Sequence, residues 1–165
     1  SGLDDDELAR VRSQMIGFVF QDFNLLMKRT LADNVSLPLI YAGHDDEFRK
    51  NKAYAMLKTV KLEGNEERLP TQISGGMQQR VAIARALINQ PEIILADEPT
   101  GNLDSKTSHE IMLFFQELNA QGITIVLVTH EADVAHFAKR LIRIVDGRIA
   151  YDGSVTSYFA TEKSL

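Results

Sequence analysis

Residues 92–104 read EIILADEPTGNLD, and this stretch decides the fold. Its first half is a continuous apolar run, which is typical of a strand covered on both faces of a parallel sheet. Asp97 and Glu98 follow at the carboxyl end of that strand, where ligands bind in parallel α/β sheets. A carboxylate there can hold Mg²⁺, and its neighbour can polarise an attacking water. A bare acidic pair before Pro99 would more simply cap the strand or begin a turn.

Strand and helix patterns alternate on either side of this stretch. Apolar runs predict strands at 15–20 and 123–129, the second also buried, and Asp146-Gly147 predicts a β-hairpin within 141–151. Helical patterns cover residues 4–14, 48–62, the segment from Ser74 to Pro91, 105–118 and 132–138. Pro38 and Gly43 interrupt residues 22–46, which we expect to be irregular. The alternation predicts an α/β fold with a parallel sheet.

A second informative string, ISGGMQQRVAIARAL, occupies residues 73–87. Its serine and two glycines precede a helix, and exposed N–H groups at a helix N-terminus form an anion site. Ser-Gly-Gly alone would indicate only a capped helix, but the string continues with Gln78, Gln79, Arg80 and Arg85 in place. Met77 occupies the N3 position, where Glu or Gln completes a capping box. Because a lost capping bond costs about 1 kcal/mol, we expect a looser helix start.

Together the two strings resemble the signature motif, usually written LSGGQ, and the Walker B strand and D-loop of ABC ATPases. The resemblance implies that Asp97 binds Mg²⁺, that Glu98 is the general base, and that Asp104 communicates across a dimer. It also implies that the signature segment contacts the γ-phosphate of an ATP held by the opposite subunit. The residues expected to do so are Ser74, Gly75, Gly76 and Gln78.

Two further residues gain meaning from this resemblance. His130 follows the strand after the Asp97-Glu98 strand and matches the switch histidine, although a lone histidine is more often structural. Gln21 follows the strand IGFVF and matches the Q-loop glutamine, which reaches Mg²⁺ and the attacking water. The remaining histidines, which are His44, His109 and His136, are interpreted as surface or local packing residues.

The resemblance implies a RecA-like P-loop NTPase core with an incomplete parallel sheet, plus an α-helical signature subdomain. Residues 22–90 would form the helical subdomain, and 1–21 with 91–165 the remaining part of the core. All 165 residues would then be one partial ABC ATPase domain. The strings DNVSLPLIYAG and DEPTGNLDSKT look most like the branch of macrolide exporters and lipoprotein-release ATPases.

A P-loop requires the pattern G-x-x-x-x-G-K-[ST], and none of the ten glycines is followed by lysine. We therefore expect an N-terminally truncated cassette that has no segment to cradle the β-phosphate and does not hydrolyse ATP alone. Strands missing from the sheet would expose apolar surface and unpaired edges. The chain is accordingly predicted to be oligomeric or domain-swapped.

The composition limits the partners. A net charge of −5 and a pI near 5.4 argue against a nucleic-acid partner, and the absence of cysteine excludes disulfides and thiolate sites. The resemblance implies a second ATPase domain and a membrane permease, which would hold the chain at the cytoplasmic face of the membrane. Apolar residues within 23–43 are either local core or a groove for a permease helix.

The motifs allow two alternatives to a transport ATPase. A chromosome-maintenance or repair ABC ATPase would carry long coiled coils between Gln21 and Ser74, but only 52 residues separate them and no heptads appear. A non-catalytic binding module, which docks on a permease or caps a P-loop-bearing partner, remains open.

Overall fold

The computed structural model describes residues 14–162, and its main sheet has three parallel strands. These are β1 (Ile16–Phe20), β2 (Ile93–Asp97) and β3 (Thr124–Val128), in the order β1-β2-β3. A separate antiparallel hairpin contains β4 (Arg140–Val145) and β5 (Arg148–Ser154). The parallel sheet and the hairpin are therefore both confirmed. Asp146 and Gly147 form the hairpin turn with φ values of 49° and 73°, a left-handed pair that suits the twist of two short strands.

Six α-helices lie in the described part of the chain, together with a short 3₁₀ turn at Pro70–Gln72. They are α1 (Leu31–Tyr41), α2 (Asp46–Thr59), α3 (Gly75–Leu87), α4 (Ser105–Ala120), α5 (Ala132–Ala135) and α6 (Val155–Glu162). Within residues 14–162, none of these helices has the length and apolar content needed to cross a bilayer. The helix predicted at 4–14 lies almost wholly outside the described residues.

Helix α1 corrects the expectation that residues 22–46 are irregular. Thr30 caps the helix by accepting from the Asp33 N–H at 3.1 Å, and the Asp33 carboxylate accepts from the Thr30 N–H at 3.3 Å. Pro38 lies inside the helix and does not end it. The reciprocal capping bonds and the burial of the helix outweigh the backbone hydrogen bond that proline removes.

Fully buried Asn34 fixes the turn that leads into α1. Its side-chain oxygen accepts from the Leu26 N–H at 2.7 Å, and its amide nitrogen donates to the carbonyls of Leu26, Arg29 and Thr30. An uncharged amide that makes four such bonds is well suited to a dry interior. The loop after β1 is thus tied to α1 along residues 26–30.

The expectation that the apolar run of β2 is covered on both faces and that β3 is buried is wrong for one face of the sheet in the described residues. Register pairing places Phe18 beside Leu95 and Val126 on one face, where Phe18 and Val126 are 45% and 42% exposed. Exposed and half-buried residues also alternate along β3, which was predicted as a buried strand. An apolar run is compatible with either state because it does not say which elements cover each face.

Helix α3 covers the other face of the sheet at β1. An added Cβ on Gly17 would lie 2.6 Å from the backbone oxygen of Ala86, so the helix approaches the strand as closely as a glycine allows. Val19, Ile94 and Ala96 are buried on this face. Helix α4 adds a buried stripe of the predicted residues Ile111, Phe114, Phe115 and Leu118.

Candidate functional site

The three parallel strands end side by side at one edge of the sheet. Phe20 of β1 pairs with Asp97 of β2, and Asp97 pairs with Val128 of β3. The residues that immediately follow these strand ends are Gln21, Glu98 and Thr129. The carboxyl edge therefore brings Gln21 and Glu98, both singled out in the sequence, together with Thr129. Ligands bind at this edge in this class of fold.

Glu98 and His130 are in direct contact at this edge. The Glu98 Oε1 atom accepts from the His130 backbone N–H at 2.9 Å and lies 2.7 Å from the Nδ1 atom of the His130 ring. Its other oxygen, Oε2, accepts from the Thr129 hydroxyl at 3.0 Å. Thr129 was not singled out in the sequence, although its position before His130 is the signal that points to it.

Two opposing influences act on the pKa of the Glu98 carboxyl. Burial raises this pKa, but hydrogen bonds from the His130 ring, the Thr129 hydroxyl and the His130 N–H together lower it below its ordinary value. The side chain is 18% exposed, whereas that of His130 is 86% exposed. Glu98 is thus an ionised, oriented carboxylate at neutral pH, and the histidine ring is open to a ligand.

Glu98 also has an unusual backbone conformation, with φ at 44°. A residue with a Cβ pays a steric cost in this left-handed region, and such strain collects at functional sites. The Glu98 N–H donates to the Val128 carbonyl at 2.9 Å, which extends the pairing of β2 with β3 by one residue. The Gly101 N–H donates to the Glu98 carbonyl at 3.1 Å and closes the turn over residues 98–101.

Gln21 packs against that turn. An added Cβ on Gly101 would lie 2.7 Å from the Gln21 amide nitrogen. The Asn102 amide donates to the Gln21 carbonyl at 3.1 Å and to the Asp22 carboxylate at 3.0 Å. The loop after β1 and the loop after β2 are therefore joined, although Gln21 and Asn102 are 81 residues apart in sequence.

Asp104 is the N-cap of α4. Its carboxylate accepts from the Thr107 N–H at 3.0 Å and from the Thr107 hydroxyl at 2.6 Å. The hydrogen bond from the Thr107 hydroxyl is the main reason that the pKa of Asp104 lies below its ordinary value. The bond from the Thr107 N–H lowers this pKa further. Asp104 thus has a structural role within its own chain, and its communication across a dimer stays a prediction.

Ser74 caps α3 as expected, but the bond is long. Its hydroxyl oxygen accepts from the Met77 N–H at 3.4 Å, whereas the same bonds at Thr30, Asp45 and Asp104 measure 3.1, 2.9 and 3.0 Å. The methionine at N3 cannot return a bond to the N-cap backbone. This geometry agrees with the looser helix start expected from the sequence.

The glycines after Ser74 allow α3 to begin against the segment that leads into α4. An added Cβ on Gly76 would lie 2.3 Å from the Thr107 methyl group, and one on Gly75 would lie 3.5 Å from Leu103. The N-terminus of α3 is thus placed beside residues 102–107. Ser74 itself is exposed.

The Gln78 amide nitrogen is engaged within the chain. It donates to the Pro70 carbonyl at 3.0 Å and, more weakly, to the Ile73 carbonyl at 3.5 Å. These bonds hold the short turn before α3 in place. The expected contact between Gln78 and a nucleotide stays a prediction.

Arg85 of α3 holds the loop after Gln21 and was noted in the sequence only as part of its string. Its guanidinium donates to the carbonyls of Asn24 at 2.5 Å and Phe23 at 2.8 Å. Phe23 and Asn24 both have positive φ, 60° and 49°, so the guanidinium secures two strained residues. Burial lowers the pKa of the Arg85 guanidinium, whose two partners are uncharged carbonyls.

The apolar residues within 23–43 divide into two groups. Leu25, Val35 and Leu39 belong to the core, whereas Leu26 and Ile40 are each 46% exposed and Tyr41 is 83% exposed. Some of these residues therefore fit the interpretation as local core, and others remain candidates for a groove that binds a permease helix. The other histidines have aromatic neighbours, because His44 stacks on Phe48 and His136 on Phe159, while His109 meets the edge of Phe137.

Curated relatives resemble most of this chain. The macrolide export ATP-binding/permease protein MacB of Chlorobaculum tepidum is 53% identical over 152 residues, or 92% of the chain. MacB of Escherichia coli is 50% identical over 150 residues, or 91% of the chain. The chain spans only 23% of the length of each of these two relatives.

Solved structures and a family model agree with these relatives. A dimeric post-hydrolysis state of the ATP-binding cassette MJ0796 bound to ADP and Pi matches with a TM-score of 0.79 and 48% identity, covering 93% of this chain and 68% of that one. The structure of cbiO1 from Clostridium perfringens, part of the ABC transporter complex cbiONQ, matches with a TM-score of 0.85 at 27% identity, covering 98% and 65%. The family model described as ABC transporter matches residues 3–101. By fold, by sequence and by the arrangement of its strand ends, this chain belongs to the ABC transporter family, as part of its ATP-binding cassette.

Proposed function

We propose that the chain supplies two half-sites of an ATP-hydrolysing cassette that drives membrane transport. One half-site is the acidic edge around Asp97 and Glu98, and the other is the N-terminus of α3. The observation that carries the proposal is the contact of Glu98 with Thr129 and His130 at the shared end of β2 and β3.

In the acidic half-site, Glu98 is proposed as the general base for an attacking water. Its carboxylate is ionised and held by hydrogen bonds, so it can accept a proton without first reorienting. The exposed His130 ring is proposed to donate to the γ-phosphate. This role is assigned to the Nε2 atom, because Nδ1 lies against Glu98 and both ring nitrogens donate when the ring is protonated.

The residues at the end of β2 suit Mg²⁺. Asp97 is an exposed carboxylate at the end of β2. Gln21, whose side-chain amide supplies an oxygen, directly follows Phe20, the residue of β1 that pairs with Asp97. Residues 14–162 hold no cluster of three or more acidic, histidine or cysteine side chains poised for a metal. Such a sparse set fits Mg²⁺, which binds one or two protein oxygens and otherwise keeps waters and substrate phosphates. The ion would neutralise phosphate charge, and Asp97 with Gln21 would hold it.

In the signature half-site, the exposed Ser74 hydroxyl and the N–H groups of Gly75 and Gly76 are proposed to bind the γ-phosphate of an ATP in a second copy. A helix N-terminus favours an anion, and the absence of side chains on the glycines lets phosphate approach the backbone. The dimeric MJ0796 cassette with ADP and Pi supports this pairing by similarity.

A permease is proposed as the membrane partner, because the MacB relatives are named ATP-binding/permease proteins. Leu26, Ile40 and Tyr41 are exposed near the loop after Gln21 and are proposed to contact one of its helices. This docking would place the cassette at the cytoplasmic face of the membrane. The same relatives support export of macrolide-like compounds as the transport reaction.

Magnesium-dependent ATP hydrolysis by the complete gene product tests the proposal. The phosphate cradle pattern does not occur in these 165 residues, so the complete gene product is the proper sample. Glu98→Gln should lower kcat by about 10²- to 10⁴-fold, the usual contribution of a general base. Glu117→Gln changes an exposed acid on α4 and should leave kcat unchanged. Equal rates for the two variants would reject Glu98 as the base.

A further inference from the structure

Gln79 is a fully buried amide on the signature helix that touches the turn carrying Glu98. Its exposed fraction is 0%, and its Nε2 atom donates to the carbonyl of Pro99 at 2.5 Å. Pro99 directly follows Glu98 in the chain. A single side-chain bond therefore joins α3 to the residue beside the proposed general base.

A hydrogen bond to the Pro99 carbonyl restrains the turn over residues 98–101 effectively. Proline has no N–H, so the carbonyl is its one backbone hydrogen-bonding group. The Glu98 carbonyl is already held by the Gly101 N–H at 3.1 Å. With Gln79 bound to the next carbonyl, two successive peptide groups are fixed immediately after the strained φ of Glu98.

Packing alone does not explain why an amide side chain occupies position 79. Within the described part of the chain, the Oε1 atom of Gln79 has no hydrogen-bond partner, and neither does the buried hydroxyl of Thr100. An apolar side chain of the same length would fill the space without burying an unpaired oxygen. The contribution of Gln79 thus depends on the bond that its nitrogen makes.

We propose that Gln79 is a positioning residue that keeps residues 98–101 in the conformation in which Glu98 reaches Thr129 and His130. The bond also makes the orientation of Glu98 depend on the position of α3 in the same chain. A displacement of the signature helix is then transmitted to the acidic edge through Gln79 and Pro99. This inference rests on the proposed role of Glu98 in hydrolysis.

Two apolar variants remove the donor. Gln79→Met keeps the length of the side chain, and Gln79→Leu is a branched alternative of similar volume. Leu57→Ala is the matched control, because Leu57 is also fully buried but lies in α2 away from the turn. If Gln79→Met fails to fold, Gln79→Leu serves for the same measurements.

Steady-state ATP hydrolysis and thermal unfolding are measured on the complete gene product at a temperature where every variant is folded. We expect Gln79→Met to lower kcat about tenfold or more with KM changed less than about twofold, because the lesion affects orientation of the base and not nucleotide binding. Leu57→Ala should lower the Tm at least as much and leave kcat of the folded enzyme within about twofold. An unchanged kcat in an active Gln79→Met enzyme would overturn the proposal.

Hydrogen–deuterium exchange followed by mass spectrometry gives a readout that is independent of turnover. In the absence of nucleotide, Gln79→Met should speed exchange in the peptide that contains residues 98–103, whereas Leu57→Ala should speed it in α2. A kcat loss without faster exchange around residue 98 would also contradict the positioning role. If the wild-type protein proves inactive, the proposed hydrolytic function fails, while the exchange data still decide whether Gln79 holds the turn.

Discussion

The Nδ1 atom of His130 lies 2.7 Å from the Oε1 atom of Glu98, although 32 residues separate the two in sequence. The same oxygen accepts from the His130 backbone N–H at 2.9 Å. The parallel register of β2 and β3 makes this contact possible, since both residues follow strand ends that are paired with each other. The histidine therefore has two roles to test, orientation of the carboxylate and contact with the nucleotide.

Replacing the histidine ring separates these roles. His130→Ala keeps the backbone N–H bond to Glu98 but removes the ring contact and the proposed phosphate donor. We expect kcat for ATP hydrolysis by the complete gene product to fall about 10²- to 10³-fold, as when a transition-state donor is removed. His44→Ala, which changes an exposed histidine that stacks on Phe48, is the control. A kcat within a factor of two of wild type would show that the ring does not act in hydrolysis.

Alanine substitutions at two glycines distinguish a role in packing from a role at the candidate functional site. Gly17→Ala drives a Cβ to 2.6 Å from the rigid Ala86 backbone, so the free energy of unfolding should fall by about 1–3 kcal/mol. Gly101→Ala instead meets the flexible end of Gln21 at 2.7 Å, so stability should change by less than about 0.5 kcal/mol while kcat falls. Urea unfolding measures the change in stability, and ATPase assays measure the change in kcat. The reverse pattern, with Gly101→Ala the less stable variant, would contradict the contacts given for these residues.

Arg85 should contribute strongly to stability through its two carbonyl bonds. Arg85→Met keeps much of the apolar stem but leaves the Phe23 and Asn24 carbonyls without their charged donor. We expect the free energy of unfolding to fall by about 1.5–3 kcal/mol, the usual range for hydrogen bonds to charged groups. Lys58→Met removes an exposed partner of Glu63 and should have no measurable effect. Equal stabilities of the two variants in urea titrations would refute the proposed hold on the loop.

The capping role of Asp104 predicts a specific pH dependence. Its folded-state pKa lies below the ordinary value of 3.8, so its stabilising contribution is complete above that value and is lost as the pH falls through the folded pKa. Asparagine also caps helices but does not titrate. Asp104→Asn should therefore have a lower Tm than wild type near pH 7, where the ionised carboxylate binds Thr107, and the two Tm values should converge between about pH 4 and pH 2. Parallel Tm curves over this range would argue against the cap.

Much of the fold was predictable because its signals are local. The apolar run before Asp97 and the Asp146-Gly147 turn each contain their own evidence, and both elements formed where expected. Helix α1 was missed because Pro38 suggested a break, whereas the capping pair at its start uses Asp33 in place of the usual Glu or Gln. The sequence predicted exposed apolar surface but not which face of the sheet carries it, because coverage depends on elements distant in the chain.

The candidate site likewise contains residues that were predictable from local sequence and contacts that were not. Glu98 and His130 were predictable from their places after two strands, since parallel strands end at a common edge. The contacts of Arg85 with Phe23 and of Gln79 with Pro99 were not, because they join residues 62 and 20 positions apart and depend on how α3 lies against the sheet. Sequence pattern thus located the candidate site residues, and tertiary structure was needed to find the contacts that hold them.

The central claim is that the acidic edge of one copy works with the signature helix of another, and a mixing experiment tests it most directly. Glu98→Gln disables the acidic edge, and Gly75→Glu places a negative charge at the start of α3, where an added Cβ has room at 3.5 Å from Leu103. Each variant of the complete gene product should be inactive alone. Mixed and allowed to exchange subunits, they should recover roughly a quarter of wild-type ATPase activity, because half of the dimers are mixed and each has one intact site. If both half-sites belong to the same chain, the mixture will stay as inactive as its components, and the claim is contradicted.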